Sequence, residues 1–108
     1  MTGGQVTQGC SAEVFASLDF DLLYPLAGPI YVHSAEPGDL LEIEILRCQP
    51  LNWGWSGIIP GLGLLAKDFT QPYIRHFDLS NGFSAALRDD IHIPLQPFCG
   101  TMGVAIDE

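Results

Sequence analysis

Hydrophobic positions along this chain recur at a period of two in short runs rather than at 3.6 over long ones. The cleanest run is Leu40–Cys48, where Leu41, Ile43 and Ile45 face one way and Glu42 and Glu44 the other. Strict alternation, with branched apolar residues on one side and carboxylates on the other, predicts a half-buried strand. Ahead of it, Ala35-Glu36-Pro37-Gly38-Asp39 predicts a turn, because Pro presets φ and Gly is free to take a positive φ. Ile30–His33 predicts a shorter strand before that turn. Tyr73–Leu79 puts Tyr73, Phe77 and Leu79 on one side and His76 and Asp78 on the other, while Ile91, Ile93 and Leu95 share a face of Ile91–Leu95. Pro94 cannot donate to a ladder, so that strand lies at an edge or ends there. Ser11–Leu18 reads as a short helix with Ser11 at the N-cap and Glu13 in its first turn. Asn52–Gly63, rich in Gly, Trp and Pro, reads as a long loop.

Twelve glycines and eight prolines leave little room for long helices. The expected fold is therefore mainly β, a β-sandwich or jelly-roll-like layer with short helical turns. The 108 residues suit one domain or a piece of one, and 47% hydrophobic content suits a packed core. Turn-like, Gly-rich ends at Met1–Gly4 and Gly100–Gly103 suggest an incomplete part of a larger domain, so 1–108 is read as a single partial domain.

Charge narrows the partners. Thirteen acidic against four basic residues give a formal net charge of −9. Nucleic acid and anionic membranes both require a basic footprint, so neither is expected. No apolar run approaches the roughly 20 residues of a membrane-crossing helix, and no basic segment followed by an apolar one opens the chain. A cytoplasmic location is the expectation.

The candidate chemistry is sparse. Cys10, Cys48 and Cys99 form no C-x-x-C pair and read most simply as small buried hydrophobes. His33, His76 and His92 form no ligand spacing and read as solvated surface residues, although a metal site assembled from distant strands stays open. Glu42/Glu44 and Asp89/Asp90 read as a solvated face and a turn. Asp19 and Asp21 would project from one side of an extended chain, with Phe20 opposite; such a pair either forms a turn or holds a metal or a shared proton. The stretch NWGWSGIIPGLGLL from Asn52 to Leu65 carries Trp53 and Trp55, whose faces want burial and whose indole N–H groups want acceptors. It reads either as a loop anchored on the core or as a pocket wall. Gly61-x-Gly63 lacks the remaining elements of a nucleotide fingerprint. A nucleophile elbow and a Ser-Ser-Lys signature are absent, and nothing marks Lys67 as activated. For a hydrolase, that leaves a metal-activated water as the economical nucleophile.

Taken in order, these motifs resemble the acetamidase/formamidase family. The resemblance rests on Gly3-Gly4-Gln5, Leu18-Asp19-Phe20-Asp21, Gly28-Pro29-Ile30-Tyr31-Val32 and Ala35-Glu36-Pro37-Gly38-Asp39. It continues through Trp53-Gly54-Trp55, Ile58-Ile59-Pro60-Gly61 with Gly63-Leu64-Leu65, Ile93-Pro94-Leu95 and Gly100-Thr101-Met102-Gly103-Val104-Ala105. Two positions depart from the family pattern: Tyr24 stands where a His is usual, and His33-Ser34 where Glu-Gly is usual. A Tyr phenol, with a reference pKa near 10, does not inherit a His role.

The resemblance implies a portion of an amidohydrolase that converts formamide or acetamide to carboxylate and ammonia, with a divalent metal such as zinc, and that is inactive alone. It places Gln5, Trp53 and Trp55 at the substrate pocket and Asp19 and Asp21 as metal candidates, and it identifies no catalytic residue. The implied partners are a small amide and either a second copy or a companion chain carrying the missing half. The alternative is a truncated, non-catalytic β-domain that serves as a folding or oligomerisation module.

Overall fold

The computed structural model describes residues 2–105. Its regular elements are 3-10 turns at Ala12–Ser17 and Phe20–Leu22, then β1 (Trp53–Ile58), β2 (Tyr73–Asp78), β3 (Ser84–Arg88) and β4 (Ile91–Pro94). The mainly β expectation holds. Among the described residues, β1 pairs antiparallel with β2 and β3 antiparallel with β4.

The β1–β2 hairpin is the organising unit. Its register sets Trp53 opposite Asp78, Trp55 opposite His76 and Gly57 opposite Ile74, all on one face. Leu79 N–H extends the ladder by donating to the Asn52 carbonyl at 2.8 Å. The expectation of a loop over Asn52–Gly63 is corrected here. Alternation of Gly with Trp, which lowers strand propensity, instead marks a strand against which another side chain packs closely. A Cβ placed on Gly57 would sit 2.6 Å from Phe15 Cζ and 2.9 Å from the Tyr73 carbonyl oxygen. Gly57 therefore leaves the space that the Phe15 ring fills.

Phe15 comes from the first 3-10 turn and is 5% exposed; with Val6, also 5%, it makes up the buried apolar set among the described residues. Its ring lies 5.6 Å from that of Trp55 at 42°. The expected helix over Ser11–Leu18 forms as this 3-10 turn. Ser11 has extended φ and ψ at the N-cap, but its hydroxyl lies 3.4 Å from the Glu13 carboxylate and caps no backbone N–H.

The second sheet follows from turn chemistry. Asn81 Oδ1 accepts from Phe83 N–H at 2.8 Å and Ser84 N–H at 3.0 Å, and Gly82 supplies the left-handed φ of +72°. An irregularity between Ala86 and Arg88 precedes the Asp89-Asp90 turn, which forms as expected. β4 covers Ile91–Pro94 and ends at the proline, again as expected. Arg75 ties the sheets together, donating from Nη2 to the Ala86 carbonyl at 3.2 Å while its guanidinium lies 5.7 Å from the Phe77 ring centre.

Two predicted strands are corrected. Ile30–His33 and Leu40–Cys48 form no ladder among the described residues, although the turn between them is present: Asp39 N–H donates to the Glu36 carbonyl at 3.0 Å. Alternation specifies an extended backbone with two unlike faces, but a strand also needs a neighbour to take its N–H and C=O groups. Here Ile43 and Ile45 are exposed and Leu40 is 97% exposed. The packed core expected from composition is correspondingly small. The accessible surface is 9602 Å² for 11.7 kDa, against roughly 5,900 Å² for a folded monomer of that mass. The radius of gyration is 17.6 Å, against about 13 Å for a compact domain of this length. No helix among the described residues is long and apolar enough to cross a membrane.

Candidate functional site

Two local constructions carry the residues singled out from sequence. The first joins the N-terminal loop to the second 3-10 turn. Gln5 Nε2 donates to the Asp19 carbonyl at 2.9 Å, and Asp19 N–H donates to Gln5 Oε1 at 2.7 Å. A primary amide suits this clamp because it offers a donor and an acceptor side by side. Asp19 then caps the turn, its Oδ1 accepting from Asp21 N–H at 3.0 Å. Leu22 N–H closes the turn on the Asp19 carbonyl at 3.3 Å.

Three of the predicted residues, Gln5, Asp19 and Asp21, are thus brought together. Of the two readings of Asp19 and Asp21 the turn is the one that forms, bending the backbone between them. One Asp19 oxygen is committed to the cap. Among the described residues, no three His, Cys, Asp or Glu side chains gather in a metal-holding group. The Asp19–Asp21 turn by itself therefore does not fit a divalent ion, which needs further ligands.

The second construction is the tryptophan face of the β1–β2 hairpin. Trp53 and Trp55 stand on alternate positions of β1 and are half-buried. Trp55 is covered by Phe15, whereas Trp53 packs against the His76 ring, with centroids 6.1 Å apart. His76 is the residue that sequence reasoning missed. Expected to be solvated, it is half-buried, and its Nε2 lies 2.9 Å from the Cys10 carbonyl oxygen. A carbonyl only accepts, so Nε2 donates this bond, and Nδ1 is the ring nitrogen left over. That Nδ1 is buried and has no partner among the described residues. Only the hairpin register, which sets His76 opposite Trp55, would have identified it.

The other histidines, His33 and His92, are exposed as expected. The cysteine reading is corrected: Cys10 and Cys48 are half-buried and Cys99 is exposed. Tyr24, which departs from the family pattern, adopts φ +58°, a left-handed conformation unusual for a bulky residue.

A protein of Schizosaccharomyces pombe named "putative formamidase" is 36% identical over 105 residues, covering 92% of this chain and 25% of the relative. The formamidase of Methylophilus methylotrophus is 30% identical over 107 residues, with 94% and 25% covered. The acetamidase of Mycolicibacterium smegmatis is 35% identical over 85 residues, with 67% and 21% covered. The chain thus spans about a quarter of the length of these relatives. No solved structure matches it significantly. The model of one family matches residues 1–108, and the chain belongs to that family, the acetamidase/formamidase family.

Proposed function

We propose that this chain is a portion of an amidohydrolase that hydrolyses a short aliphatic amide, formamide or acetamide, to the carboxylate and ammonia. The alignment of amide hydrolases over most of the chain carries this reading. In it, the tryptophan face is a wall of the amide pocket. Trp53 is the better candidate for contact, since Phe15 already occupies the neighbourhood of Trp55. A flat apolar wall favours a one- or two-carbon acyl group by shape and keeps bulk water from the carbonyl. Gln5 acts as a positioning residue through its clamp on Asp19. A divalent ion such as zinc would polarise the amide carbonyl and lower the pKa of a bound water. It would need ligands beyond Asp19 and Asp21.

Activity in this reading requires a companion polypeptide, and the chain alone is inactive. The exposed apolar residues of 26–51 and the groove formed by Gly57, Ile58, Leu62, Leu64, Leu65 and Phe69 are the surfaces it would cover. One register of self-association is disfavoured at the 40–48 strip. Antiparallel self-pairing centred on Ile43 sets Glu42 against Glu44 twice, and like charges directly opposite destabilise a ladder.

The test measures ammonia released from formamide and acetamide. One sample is the chain alone; the other is the chain co-expressed with the remaining three quarters of the M. methylotrophus formamidase. Silence alone and release in the co-purified pair are expected. Turnover by the isolated chain overturns the required companion. A pair that co-purifies but releases no ammonia favours the second reading, a non-catalytic folding or oligomerisation module, which the same exposed surfaces also support.

A further inference from the structure

The strip at 40–48 has the pattern of a strand and lacks the neighbour that would complete it. Its apolar face is open, with Leu41 47%, Ile43 61% and Ile45 47% exposed. Glu42 and Glu44 stand exposed on the other face. Among the described residues no hydrogen bond reaches the backbone of 40–48, so its N–H and C=O groups stand open to a ladder. Both ends of the strip are held. Before it, the turn closes through Asp39 N–H on the Glu36 carbonyl and Glu36 N–H on the Asp39 carboxylate at 2.9 Å. After it, Arg47 and Cys48 line a cleft with Asn52, Leu79 and Leu95, next to the start of β1. Anchored ends lower the ordering cost of adding a strand.

Charge decides what can be added. Among the described residues the ion pair is Arg88–Asp90, so Glu42 and Glu44 face no countercharge there. The chain holds four basic residues against thirteen acidic ones. A second copy brings glutamates to the same place. Antiparallel registers centred on 42, 43 or 44 set glutamate across from glutamate, and a slip by one position sets glutamate across from an apolar residue. We propose that the 40–48 strip is an acceptor edge for one strand of a companion polypeptide, with apolar residues across from Leu41, Ile43 and Ile45 and lysine or arginine across from Glu42 and Glu44. Backbone pairing supplies affinity, and the two glutamates select the sign of the partner's charge. That a companion exists rests on the amidohydrolase reading; the chemistry its strand must have does not.

The test reads binding and no ammonia, so its failure is separate from a failure of that reading. Two end-blocked peptides as long as the strip, one alternating valine with lysine and the other valine with glutamate, are titrated into the chain. Amide exchange is followed residue by residue. The lysine peptide should slow exchange at 41–45, bind about tenfold more tightly than the glutamate peptide, and weaken with added salt. The variant carrying Glu42→Lys and Glu44→Lys, both at exposed positions, should prefer the glutamate peptide. Binding of neither peptide, equal binding of both, protection confined to the Gly57–Phe69 groove, or an unchanged preference in the variant would overturn the proposal. Protection at 41–45 that grows with protein concentration in the absence of peptide would overturn it in favour of a second copy.

Discussion

The tryptophan hairpin and the strip from Leu26 to Leu51 are built from similarly apolar sequence and end in opposite conditions. In the hairpin, Phe15 reaches from a distant turn onto Gly57 and Trp55, while the Cys10 carbonyl meets His76. In the strip, Leu41, Ile43 and Ile45 alternate more regularly than any residues of β1, yet all three are exposed. Alternation thus selects an extended backbone, whereas burial depends on a second surface arriving from elsewhere in the chain. The hairpin has such a surface in the N-terminal loop. Along the strip, only its end at 47–51 approaches another segment, near Leu79, Leu95 and Pro97.

The largest expected effect tests this contrast directly. Gly57→Val drives a branched side chain into the Phe15 ring and should cost about 2–3 kcal/mol, read as faster amide exchange across β1 and β2. Ile43→Ala in the strip should cost less than about 0.5 kcal/mol, where a buried Ile would cost roughly 2–5. Equal losses at both positions would dissolve the distinction between the regions.

Gln5→Ala comes next. It removes both side-chain bonds to the Asp19 backbone, each contributing about 1 kcal/mol when well made and less where water competes. Asp19 amide protection should fall while the β1–β2 amides keep theirs; joint loss would mean that the clamp supports the hairpin too.

The smallest effect is a pH dependence at the end of β2. The Ser80 hydroxyl and then its backbone N–H hold the Asp78 carboxyl below the usual carboxylate range. A depressed folded value contributes stability above the unfolded pKa and loses it as pH falls through the folded one. Asp78→Ala should therefore lower the thermal midpoint slightly at neutral pH, and the difference should vanish in strong acid. A difference that persists there would assign the effect to packing.

Much of the chain was legible from local chemistry. The turn at 35–39, the strands near 73–79 and 91–95 and the short helical turn after Ser11 are signalled by patterns spanning a few residues. Family membership was legible for a related reason, since ordered short motifs survive without knowledge of their contacts. His76, the Gln5–Asp19 clamp and the strand at Trp53–Ile58 were not. The clamp joins residues 14 positions apart and the His76–Cys10 contact residues 66 apart, and no local pattern encodes either.

By itself, then, the sequence determined which stretches extend, which turn, and which family the motifs spell out, because propensity and alternation act over a few bonds. Only the tertiary structure decided which extended stretches find partners, which glycine makes room for a ring and which histidine packs against a tryptophan. Those outcomes depend on which distant surfaces meet, and that is settled by long-range packing.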